Sequence, residues 1–189
     1  MNDLTAMASE VEANARNARA AFGDLTREQL NWKPAADRWS VAQCLEHLMV
    51  IESGYLPVFE RIERGEFRES FVRRLMFPGW MGRMILKAVQ PQAPKAFKTS
   101  KAAEPTSGDL GADIVDRFEA HNRTIAEHAR SLGELDAGHL VIPSPVFPIG
   151  SYSVRDALRI LVAHQRRHIQ QAQRVMQTAG FPAPKATRA

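Results

Sequence analysis

The chain has 189 residues, a length that suits one domain with a full hydrophobic core. Hydrophobic residues at 44% and charged residues at 24% are the balance of an ordinary globular protein, which excludes a disordered chain. The single cysteine, Cys44, excludes an internal disulfide and a thiolate-rich zinc site, so metal chemistry falls to the 6 histidines and the carboxylates.

Asp3, Glu10 and Glu12 do not read as a secretory signal. No uninterrupted run of ~18 apolar residues offers a bilayer span. The expected location is therefore cytoplasmic. The net charge of +4 is unevenly spread, because residues 61–101 hold ten Lys or Arg against three Glu.

Leu4, Met7, Val11, Ala15, Ala18 and Phe22 recur at three- and four-residue spacing, which predicts a first amphipathic helix ended by Gly23-Asp24. Ser40 followed by Gln43 is a capping box, and it starts a second helix at Val41. Its stripe of Val41, Leu45, Leu48, Tyr55, Phe59 and Ile62 runs toward Gly65, with Pro57 expected to kink or interrupt it. Residues 66–106 read as a helical hairpin or lid, broken at Pro78-Gly79, followed by an irregular loop.

The helical period returns from Asp109 to Leu132 in a third helix, closed by Gly133. After a proline-containing loop, Ser153 and Asp156 resemble another capping box, opening a fourth helix from Val154 to about Ala179 before the Gly180-Phe181-Pro182 stop. No alternating strand pattern stands out. The expected architecture is an all-α four-helix bundle over residues 1–180, with residues 66–106 as a crossover insertion between the second and third core helices and residues 181–189 as a flexible tail.

The fourth helix places His164 and His168 at i and i+4, on the stripe shared with Val154, Ala157, Leu161, Ala172 and Val175, while Arg166 and Arg167 are expected on other faces. Burying two unpartnered imidazoles would cost roughly 1 to 3 kcal/mol each, which either a hydrogen-bond network or a metal ion would offset. His47 lies on the flank of the second helix's apolar stripe and should also point into the bundle, as a candidate third ligand.

Two motifs connect these helices. Leu30-Asn31-Trp32-Lys33-Pro34 and Arg38-Trp39-Ser40-Val41-Ala42-Gln43-Cys44-Leu45-Glu46-His47-Leu48 resemble the first motif of the DinB/YfiT-like superfamily of metal-dependent enzymes. Ser153-Val154-Arg155-Asp156 leading into His164, His168-Ile169 and Gln171 is similar to its second. The resemblance implies a four-helix bundle that binds one divalent metal, zinc or nickel, through His47, His164 and His168. It also implies activation of a thiol or water on that ion. Some relatives are thiol-dependent S-transferases or isomerases that use glutathione, mycothiol or bacillithiol. The alternatives are a metal-hydroxide hydrolase, or a non-catalytic bundle that binds a small molecule or metal.

Gln171, three residues after His168, reads either as support for a ligating ring or as an ordinary solvated side chain. His121 and His128 are expected to form hydrogen bonds at the core edge, His139 to be solvated, and Cys44 to act as a small hydrophobe. Trp39 reads as a structural plug under the second helix. The basic segment has neither a nucleic-acid recognition motif nor aromatics interleaved for base stacking. A membrane-surface role competes with the preferred reading, a lid or homodimer contact. In that reading Arg73, Arg74 and Arg83 hold the carboxylates of an anionic low-molecular-weight thiol.

Overall fold

A computed structural model describes residues 3–75, 77–93, 104–147 and 149–183 of the chain. Four long helices form the core: α1 (Asp3–Phe22), α3 (Val41–Ser53), α7 (Ile114–Glu134) and α8 (Val154–Met176). Between the first two lies the short α2 (Arg27–Asn31). Beyond α3 come α4 (Leu56–Glu63), α5 (Phe71–Leu75) and α6 (Pro78–Val89). A two-stranded antiparallel hairpin, β1 (Val141–Pro143) with β2 (Ser151–Ser153), precedes α8 and pairs Ile142 with Tyr152.

Helix starts follow local chemistry. Ser40 and Gln43 form the reciprocal capping box at α3. Ser153 accepts from the Asp156 amide at α8, which makes half of the expected box. Pro57 sits in the first turn of α4, where no intrahelical N–H is needed, so the second predicted helix is divided at Gly54-Tyr55. A Cβ on Gly54 would stand 2.6 Å from the Pro145 Cβ, so this close approach needs glycine.

Several expectations change. The third core helix begins at Ile114 rather than Asp109, because the Leu110 amide donates to Asn31 Oδ1 and holds that stretch out of the helix. Gly133 lies inside α7 instead of ending it. The proline-containing loop carries the β1–β2 hairpin, which the absence of alternation had concealed. The fourth helix stops at Met176, and Gly180 takes positive φ. Of the expected tail, Phe181 packs edge-on against Trp32 with ring centroids 5.5 Å apart. Residues 184–189, and the part of the expected irregular loop at residues 94–103, lie outside the described residues.

The core consists of two apolar clusters. One contains Val11, Tyr55, Ile125 and Val162; the other contains Ala18, Leu48, Phe118 and Ile169. Between them lies one polar layer. Gln165 Nε2 donates to Asn122 Oδ1 at 2.7 Å and to Glu52 Oε2 at 3.2 Å, while Gln165 Oε1 accepts from Asn14 Nδ2 at 3.0 Å. Each core helix thus crosses the same level, and the order in which it meets the two clusters gives its direction. α1 and α8 run one way, α3 and α7 the other. Because α3 and α7 are parallel, the chain between them must climb back along a helix of roughly 30 Å, which explains a long connection there.

Asn14, Asn122 and Gln165 are at most 3% exposed, so losing one side chain strands the others in the core. Gln165→Leu is predicted to lower stability by roughly 1 to 3 kcal/mol, read from the midpoint of chemical denaturation. An unchanged midpoint would show that the layer contributes nothing net.

Candidate metal centre

Antiparallel packing of α3 on α8 brings His47 level with His164 and His168. One ligand atom from each of the three histidines lies within 4.8 Å of the others. The His164 and His168 Nε2 atoms are 3.0 Å apart, and ring centroids in the trio are separated by 4.5 to 5.2 Å. Nitrogens on a tetrahedral zinc with bonds near 2.0–2.1 Å are about 3.4 Å apart, so small side-chain adjustments would bring this donor set to ligating distance.

His47 and His168 are buried and His164 is partly exposed. Burial is the main cause that pushes the His164 imidazole down to about 3, with the neighbouring His47 and Arg167 adding to it. His168 is held well below its ordinary value by burial first, then by His164, His47 and Arg167. Both rings are therefore neutral at physiological pH and keep a lone pair for a metal. The buried His168 Nδ1 has no hydrogen-bond partner, while Gln171 lies beside this ring and opposes the shift.

The histidines open into a cavity of about 470 Å³. Helix α3 contributes Ile51, the junction between α3 and α4 contributes Tyr55, α6 contributes Ile85, Ala88 and Val89, and α8 contributes Ile160 and Leu161. Asp37, Arg38, Arg167 and Gln171 add polar groups, and the Tyr55 and Tyr152 hydroxyls bond to one another in its wall. Trp39 also lines the cavity, its ring 4.6 Å from that of His47 and stacked at 5.6 Å on that of His168. It packs on His47 and His168, a role beyond the plug read from the sequence.

Arg167 departs from the sequence expectation: it lines the cavity, and its Nη1 donates to the Gln90 carbonyl at 2.7 Å, tying the end of α6 to α8. Arg73, Arg74 and Arg83 are not among the cavity-lining residues. Arg73 donates to Gly150 O and Arg74 pairs with Glu69. His121 lies 3.2 Å from Glu52 and His128 2.8 Å from Glu63, away from the trio, and His139 is exposed. Cys44 is buried and its thiol is pushed up to about 12 by burial, which leaves it unreactive.

Fold and site together define a mostly helical bundle with a tri-histidine cluster lining a largely apolar cavity. A family model for the DinB superfamily matches residues 10–172, and the chain belongs to that superfamily. Family and histidine cluster together fit a metal-binding protein. No curated protein and no solved structure matches the chain.

Because the folded values of His164 and His168 lie below the ordinary 6.5, the unfolded chain takes up protons first as pH falls. Metal-free protein should lose stability from about pH 6.5 downward, by up to about 1.4 kcal/mol per pH unit for each fully coupled histidine. Glu52 acts in the opposite sense, since burial raises its carboxyl. The histidine part is isolated by comparing wild type with His164→Leu/His168→Leu in denaturation series from pH 7 to 5. The wild type should show the steeper loss, and equal slopes would refute the assignment.

Proposed function

We propose that this chain is a divalent-metal-dependent enzyme in which His47, His164 and His168 hold one ion, zinc or nickel, and the substrate occupies the adjoining cavity. The convergence of three imidazoles beneath an apolar cavity is the observation that carries the reading. An ion bound by neutral nitrogens keeps its positive charge and would lower the pKa of a thiol or water. A low-molecular-weight thiol is the preferred co-substrate, and S-transfer or isomerisation the preferred reaction class.

The chain's own residues have separable tasks in this proposal. Trp39 excludes water from one side of the trio. Gln171 offers an acceptor to the otherwise unpartnered Nδ1 of His168, fixing the ring with Nε2 toward the ion. Arg38 and Arg167 favour an anionic group at the polar end of the cavity, and the aliphatic side chains receive an apolar portion. The Tyr55 and Tyr152 hydroxyls remain protonated, since burial raises both, and can donate to a substrate oxygen.

A binding-only role is the second reading. Among the described cavity-lining residues the sole carboxylate is Asp37, and there is no thiol. Elemental analysis of untagged protein should find one divalent ion per chain. His164→Ala or His168→Ala should abolish tight binding with helical content unchanged. Full occupancy in a variant with all three ligands replaced by alanine would overturn the metal assignment.

Reaction class is tested on cobalt-substituted protein. Millimolar glutathione, mycothiol or bacillithiol should change the visible d–d spectrum, and an electrophilic co-substrate should be consumed only when metal is present. An unchanged spectrum with turnover of esters or amides would replace thiol transfer by hydrolysis. If neither response occurs, the binding-only reading stands.

A further inference from the structure

Helices α5 and α6 form a hairpin whose outer side is apolar although it faces solvent. Phe71, Val72, Leu75, Phe77, Trp80 and Met84 are all exposed, Phe71 by 74% and Phe77 by 78%. They form the main concentration of exposed large hydrophobic side chains among the described residues. Phe77 occupies the turn between the helices at φ 51°, a left-handed conformation that is uncommon for a residue with a Cβ. The loop before β2 continues the surface: Arg73 Nη1 reaches Gly150 O, and neighbouring Ile149 is 72% exposed.

This surface is also basic. Residues 68–87 contain Arg68, Arg73, Arg74, Arg83 and Lys87 against one acid, Glu69. That carboxylate is occupied by Arg74 and by the Val141 amide. The hairpin is anchored from behind: a Cβ on Gly82 would come within 2.8 Å of Asp156 Oδ2, and Ile85 is buried. Helix α6 therefore keeps its inner face against α8 and turns Trp80, Met84 and Lys87 outward.

We propose that the α5–α6 hairpin docks the protein on an anionic lipid surface. Phe71, Phe77 and Trp80 enter the boundary between headgroups and acyl chains, while Arg68, Arg74, Arg83 and Lys87 meet lipid phosphates. Charge complementarity selects this occupant over a second copy of the chain. Face-to-face pairing of two such hairpins would bring like charges together around the apolar contact. The most exposed side chain stands at a turn, not in a groove, and a fluid interface can accommodate it without a preformed pocket. The docking is peripheral, since no described helix is long and apolar enough to cross a membrane.

Full-length protein is tested by co-sedimentation with vesicles of phosphatidylcholine alone and of phosphatidylcholine mixed with phosphatidylglycerol. Partitioning to the mixed vesicles should be at least about tenfold stronger and should fall with added salt. Arg74→Glu/Lys87→Glu should remove that preference, and Phe77→Ser/Trp80→Ser should weaken binding by about tenfold with an unchanged circular dichroism spectrum. Quenching of Trp80 fluorescence by brominated lipid in the wild type, with Trp80→Phe as the blank, gives a readout that does not depend on the folding of the double variants. Equal binding to both vesicle types, absence of quenching, or a light-scattering dimer that Phe77→Ser abolishes would overturn the proposal. His164→Ala/His168→Ala should bind vesicles like the wild type, so the outcome is separable from that of the metal assignment.

Discussion

The Gln165 side chain holds the bundle to one register. It is bonded to Asn14 on α1, Glu52 on α3 and Asn122 on α7, so four helices are fixed in height and rotation at a single level. Apolar packing alone permits small slides of one helix along another, whereas a hydrogen-bonded layer loses all its partners at once when a helix slips. Glu52 lies five residues, or about 7.5 Å of helix, beyond His47, and Gln165 immediately follows His164. The arrangement that aligns the amides also aligns the imidazoles.

Ionisable groups are kept in the bundle interior by favouring their neutral forms. The Glu52 carboxyl is raised by burial and the His164 and His168 rings are lowered, so each shift favours the neutral form. For the acid the shift favours the protonated form; for the bases it favours the form with a free lone pair. Opposite directions of shift arise from one cause, removal from water.

Much of this was legible in the sequence because the relevant signals are local and periodic. Ser40 with Gln43 marked the start of α3, and the placement of His164 and His168 on an apolar stripe marked two inward rings. The motif resemblance supplied His47, which periodicity placed on the flank of the stripe without choosing its partners. The polar layer escaped notice although its signature was present: Glu52 is four residues after Leu48, Gln165 four after Leu161 and Asn122 four after Phe118, each a polar residue at a buried position. Helix α2 likewise carried a Thr26-to-Gln29 capping box. The β1–β2 hairpin had no comparable signal, since its three-residue strands are too short to show alternation and are specified by what packs on them. Arg167 was misread because a helical wheel places a side chain's base, whereas a long guanidinium side chain reaches across to the neighbouring helix.

One turn of α8 collects obligations on every side. His164 and His168 face the cavity, Gln165 faces the polar layer, Arg166 pairs with Glu10 on α1, and Arg167 holds the end of α6. Inserting or deleting a single residue ahead of this turn would rotate all five by about 100° and offset them by about 1.5 Å, so no one contact could be restored without sacrificing the rest. A change of chain length is therefore tolerated best in the connections between helices, the segment joining α3 to α7 among them.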